Sequence, residues 1–266
     1  MREENSDKKV TKVVESHAFK GRTYTDVTLE ECPRHGFFPV YGKGPNGYGQ
    51  VLYNRCPKCE MAEKALKEAH LPRRFASKRV RDYVVTCEGQ KKAKDIVANY
   101  CRDVDQMIQK GVSLIFSGTT GAGKTHLAAS IASRAADCAH SVLFTTTIDY
   151  LTKVKESWRS GSKETESDVL KRFVDYELLV LDEVGIQYGT EAEQLILFRL
   201  LNERYNQVRP TILISNLPTT LTDEERRAGK QTISDYLGER LYDRLLEGGG
   251  QCVPFTWPSY RKEVKA

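Results

Sequence analysis

Two clusters of residues have the types and the spacing of phosphate chemistry. The run Gly118-Thr119-Thr120-Gly121-Ala122-Gly123-Lys124-Thr125 fits the pattern G-x-x-x-x-G-K-[ST] without a mismatch. In such a loop the glycines let successive N–H groups converge on phosphate oxygens. The lysine brings a point charge to the β- and γ-phosphates, and the threonine hydroxyl is placed to ligate Mg²⁺. Farther along, the apolar run Leu178-Leu179-Val180-Leu181 ends in Asp182-Glu183. Asp182 suits the magnesium shell, and Glu183 is placed to polarise an attacking water. Together the clusters predict binding and hydrolysis of ATP or a related triphosphate.

The surrounding pattern supplies elements to hold them. Residues 112–116 read as a short buried strand and 124–136 as a helix, so the loop opens a helix N-terminus that favours anions. Apolar runs at 141–145, 178–181, 211–215 and 252–255 alternate with helical patterns at 148–158, 165–175, 191–206 and 232–246. A further helical stretch, 90–109, precedes them. That alternation predicts an α/β fold with a parallel five-stranded sheet between helices. Asn216 closes the run 211–215. If that strand lies between the two motif strands, its amide faces the γ-phosphate; otherwise it is a turn former before Leu217-Pro218.

The first seventy residues differ in character. Cys32 and His35 form C-x₂-H, and Cys56 and Cys59 form C-x₂-C twenty residues later, with a glycine-rich stretch between. Two short-spaced pairs are what tetrahedral zinc requires, and four protein ligands make the site structural. Uncoordinated thiols are the competing reading. A thioredoxin-like redox site fits less well, because it sits at a strand-to-helix junction. The predicted organisation is a zinc module over 1–70, a basic linker over 71–89 and the triphosphate domain over 90–266.

Composition narrows the setting. No run resembles a membrane span or a secretory signal, which predicts a cytoplasmic protein whose seven cysteines serve as thiols and metal ligands. The net charge of +5 is uneven: residues 1–95 hold 20 Lys and Arg against 13 Asp and Glu, and the rest hold 21 against 23. Five basic residues and no acid fall in 70–81. That stretch suits a phosphate backbone or an acidic protein surface, and equally a solvated linker. The helix at 148–158 mixes Tyr150, Lys153, Lys155 and Trp158 with apolar positions. Such a face can track and stack single-stranded DNA. Alternatively, Leu151, Val154 and Trp158 form the core stripe of an amphipathic helix.

From about Leu71 to Arg261 the chain resembles the DnaC-type replicative helicase loaders, members of the AAA+ ATPases. The resemblance lies in Val85-Thr86-Cys87-Glu88-Gly89-Gln90, in the loop followed by His126-Leu127-Ala128 and in Leu181-Asp182-Glu183-Val184-Gly185. It continues in Leu237-Gly238-Glu239-Arg240-Leu241-Tyr242-Asp243-Arg244 and Phe255-Thr256-Trp257-Pro258-Ser259-Tyr260-Arg261. It implies that His126 joins the nucleotide site, that Asn216 is a first sensor and that Arg261 is a second. Arg244, with Arg240 as fallback, would be the finger reaching a neighbouring subunit's nucleotide. On spacing alone, Arg240 and Arg244 are a solvated helix face paired with Glu239 or Asp243. Eleven residues follow Phe255, so a full helical lid is not expected. The resemblance further implies a replicative helicase hexamer as partner, gripped by the zinc module, single-stranded DNA met at Lys155 and Trp158, and self-association through the ATPase domain. Competing readings are an IstB-like helper of DNA transposition that binds double-stranded DNA and a transposase, a nucleotide-gated adaptor, and a small-molecule phosphotransferase.

Overall fold

The N-terminal part of the chain holds a sheet that its sequence pattern does not announce. A computed structural model describes residues 11–33, 36–186 and 190–260. They fall into two units, Met1–Lys64 and Ala65–Ala266. In the first, β1 (Thr11–Phe19), β2 (Arg22–Cys32), β3 (Gly36–Lys43) and β4 (Gly49–Val51) pair antiparallel in that order. Lys20 and Gly21, at φ 47° and 75°, close the β1–β2 turn in the geometry that matches strand twist. Most of β1 is exposed on both faces, so it lacks the alternation by which a half-buried strand is recognised. Cys32, Phe38 and Cys56 form a small core with Val40, Tyr53 and Cys59 against it. Helix α1 (Pro57–Glu68) follows, with Cys59 in its first turn.

The second unit is the expected layered fold. Helices α2 (Glu88–Arg102) and α3 (Val104–Gln109) lead to β5 (Leu114–Gly118), the loop and α4 (Lys124–Asp137). Then come β6 (Val142–Thr146), α5 (Thr147–Ser157), α6 (Glu166–Asp175), β7 (Leu178–Val184), α7 (Glu191–Asn206) and β8 (Thr211–Ser215). The chain closes with α8 (Asp223–Arg227), α9 (Ile233–Leu237), α10 (Glu239–Leu246) and β9 (Gln251–Phe255). The five strands run parallel in the order β6-β7-β8-β5-β9. Leu114, Phe116, Val180, Ile212 and Ile214 face the layer of α2, α3 and α4. Ile115, Leu181 and Leu213 face α7, α9 and α10, while Leu143 and Leu179 meet α5, α6 and α7.

Two long helices expected from the pattern are each broken. The stretch 90–109 divides at Asp103, whose φ −107° and ψ 31° leave the helical region. The stretch 232–246 divides at Gly238, whose φ 76° and ψ 140° no other residue type adopts without strain. The segment expected as a basic linker is a layer of this unit: Leu71, Phe75, Val80 and Tyr83 pack against the core that holds Phe116 and Leu127. Arg204 of α7 is wholly buried, which its polar type conceals. Its guanidinium donates to the carbonyls of Phe173, Val174, Tyr176 and Pro210 and to the Thr211 hydroxyl, tying the end of α6 to the start of β8.

Candidate nucleotide and metal sites

The strand order decides what meets at the phosphate loop. Strand β8 lies between β7 and β5, so Asn216 at its tip sits beside the loop that follows β5. The Lys124 ammonium donates to Asn216 Oδ1 at 2.9 Å and to the carbonyls of Gly118 and Thr119 at 2.8 Å each. Burial pushes its pKa down to about 8, against the pull of the Asp182 charge. The Thr125 hydroxyl donates to Asp182 Oδ2 at 3.1 Å. Burial raises the Asp182 carboxyl above its ordinary value, and the Glu183 N–H and the Thr125 hydroxyl resist that rise. A hydroxyl and a carboxylate side by side are the hard oxygen donors that suit Mg²⁺.

Glu183 is exposed and has φ 62°, a left-handed backbone that glutamate rarely adopts. The cause is local: the β7–β8 register shifts between Leu181 and Val184, and the Glu183 N–H turns back onto Asp182 Oδ1 at 2.7 Å. Glu183 lines a cavity of about 1190 Å³ together with Lys124, Thr125, Asp182 and Asn216. Gly123 at the helix entry has φ 95°, and a Cβ there would meet the Tyr83 ring at 2.5 Å.

Several lining groups were not foreseen. Arg74, Phe75, Lys78, Tyr83 and Val84 of the basic segment line the cavity. His126 packs edge-on to Tyr83 with centroids 5.6 Å apart, and its ring Nε2 lies 3.1 Å from the Arg79 carbonyl. Burial lowers the His126 pKa. Ser259 and Tyr260 close another wall. The basic run at 70–81 was visible in the sequence, but its nearness to the phosphate loop comes from chain folding alone. Arg261 lies outside the described residues.

The remaining expected residues fall elsewhere. Lys155 pairs with the buried Glu193 at 2.8 Å. Leu151 and Val154 are buried, but Trp158 is 54% exposed and donates its indole N–H to Glu166 Oε2 at 2.9 Å, so it lies outside the core stripe. Arg244 donates to Asn202 Oδ1 and lies over the Tyr205 ring at 5.4 Å, so the pairing with Glu239 or Asp243 suggested by spacing gives way to packing on α7. Arg240 is exposed. Neither arginine lines the cavity.

In the first unit the sulfurs of Cys32, Cys56 and Cys59 lie within 4.8 Å of one another, with Cys32 and Cys59 3.6 Å apart. Tetrahedral Zn–S bonds place sulfurs about 3.8 Å apart, so the three fit a shared ion. Burial, reinforced by the neighbouring thiols, pushes the Cys59 pKa up to about 11. His35, the expected fourth ligand, lies outside the described residues. Among the described residues no helix is long and apolar enough to cross a membrane.

Comparison with known proteins agrees with this architecture. The family described as "IstB-like ATP binding protein" matches residues 60–266, leaving β1–β4 outside the match. The chain is similar to the replicative helicase loader DnaC of Escherichia coli K12, at 33% identity over 183 residues, 69% of each chain. It is similar in fold to the crystal structure of the DnaC helicase loader, with a TM-score of 0.57 and 21% identity, covering 69% of this chain and 99% of that one. The crystal structure of DnaI matches at a TM-score of 0.53 and 20% identity, over 74% of this chain and 98% of that one.

Proposed function

The chain belongs to the IstB-like ATP-binding proteins and is an ATPase of the AAA+ type, and from that premise we propose that it loads a replicative DNA helicase. The observation that carries this reading is the match to DnaC across two-thirds of both chains, together with an intact set of ATP-site groups. ATP lies against residues 118–125, with His126 and Arg261 at the nucleotide. Thr125 and Asp182 hold Mg²⁺, which supplies neutralising charge to the phosphates. Glu183 orients the attacking water, while Lys124 and Asn216 stabilise charge on the γ-phosphate. Arg244 completes a neighbouring subunit's site, so hydrolysis depends on assembly. That role requires Arg244 to leave Asn202, and Arg240 is the alternative that begins exposed.

The first seventy residues are the helicase-gripping module, and the ATPase domain over 90–266 handles single-stranded DNA in the cytoplasm. Trp158 is the stronger DNA candidate of the pair, because its ring is exposed while the Lys155 charge is matched by Glu193. Zinc held by Cys32, Cys56, Cys59 and His35 staples a unit whose own core is small. Metal analysis of the purified chain should find about one zinc per chain, and Cys56→Ser should lose it while ATP binding persists. A chain free of zinc as isolated would refute the module.

Co-purification with a replicative helicase hexamer, followed by ATPase measurement with single-stranded DNA, tests the whole reading. A stable complex and DNA-stimulated hydrolysis are expected. Capture of a transposase, with binding to double-stranded DNA, would instead establish the competing reading, a helper of DNA transposition.

A further inference from the structure

The phosphate loop is gripped from outside by two segments distant in sequence. The Tyr83 hydroxyl and the Trp257 indole N–H both donate to the carbonyl of Ala122, each at 2.9 Å. All three residues are buried. A carbonyl oxygen has two lone pairs, so it accepts both at once. The Tyr83 ring lies against the bare backbone of Gly123, and Lys94 holds the Tyr83 carbonyl at 2.8 Å. On the other flank the Tyr260 N–H donates to the Gly121 carbonyl at 3.1 Å.

In a trans peptide, the carbonyl of one residue and the N–H of the next point in opposite directions. Whatever holds the Ala122 carbonyl outward therefore aims the Gly123 N–H inward. We propose that Tyr83 and Trp257 are positioning residues for the phosphates of ATP, jointly turning the Ala122–Gly123 peptide so that its N–H faces the bound anion. The polar hydrogen of each is spent on the Ala122 carbonyl. Burial pushes the Tyr83 phenol up to about 12, so it remains a donor throughout the working pH range. The inference rests on the ATP-binding assignment and is independent of helicase loading.

The test is a double-mutant cycle on the full chain with Tyr83→Phe and Trp257→Phe, reading ADP affinity by calorimetry and adenosine affinity by competition. Each single change should weaken ADP about fivefold, the worth of one ordinary hydrogen bond. The double variant should lose more than the product of the singles, because the buried carbonyl then has neither donor and its peptide is free to turn. Adenosine, which has no phosphate, should bind every variant alike. ADP losses that merely multiply, or adenosine weakened in step with ADP, would overturn the proposal. So would a double variant that binds ADP as well as the unaltered chain, with the ATP assignment left standing. An unaltered chain that binds no ADP would sink both. Should the double variant fail to fold, Tyr83→Phe decides alone: weaker ADP with unmoved adenosine supports the positioning role, and unmoved ADP refutes it.

Discussion

Glu183 should be held at a cost to stability, and that cost is measurable. Its φ of 62° places a side-chain-bearing residue in the left-handed region, which costs about 1–2 kcal/mol for most residue types and much less for Asn. The side chain is exposed, so truncating it removes little packing. Glu183→Gln keeps the shape and the strain while removing the charge. Glu183→Asn removes the charge and most of the strain. Both should cut ATP hydrolysis by about 10² or more if Glu183 orients the attacking water as proposed, since neither leaves a carboxylate there. They should part in stability, with Asn above Gln by about 1 kcal/mol, a rise of about 2–4 °C in melting temperature for a domain of this size. Thermal melts of the two variants beside a phosphate-release assay read both effects. A Glu183→Asn melting temperature at or below that of Glu183→Gln would refute the argument that function holds the backbone in strain.

Two further predictions follow from buried charge. Arg204→Met should destabilise the second unit by about 3–5 kcal/mol in urea unfolding, because four carbonyls lose their buried donor, and a loss below about 1 kcal/mol would contradict that account. His140 lies between Glu177 Oε1 at 2.9 Å and Asp105 Oδ1 at 2.7 Å. Burial disfavours its charge, but the two carboxylates outweigh burial and raise its folded-state pKa above the ordinary value. The folded state therefore holds the proton more tightly than the unfolded chain. The contribution is complete below the unfolded pKa of about 6.5 and is lost as pH rises through the raised folded value. Unfolding free energies at pH 5.5 and 8 should show that decline, and His140→Asn should flatten it.

Local pattern carried much of this structure. Helix α7 runs over Glu191–Asn206 as its apolar spacing predicts, and β8 over Thr211–Ser215 likewise. The phosphate loop and the acid pair were legible because each is a contiguous run whose residue types have one shared use. The sheet of β1 to β4 was not legible, since its strands bury few side chains and leave little periodic signal. The breaks at Asp103 and Gly238 were missed because apolar spacing continues across both.

The sequence by itself determined that this chain binds a triphosphate, and it supplied the order along the chain of the five strands of the second unit. Only the tertiary structure decided that β8 enters the sheet between β7 and β5, which brings Asn216 to Lys124 across 92 positions of sequence. It alone decided that Tyr83 and Trp257 meet at one carbonyl, that Arg204 turns inward and that Trp158 turns out. The physical reason is range. Periodicity and turn chemistry act within a few residues of chain, whereas a side chain's partner is chosen by the packing of whole layers.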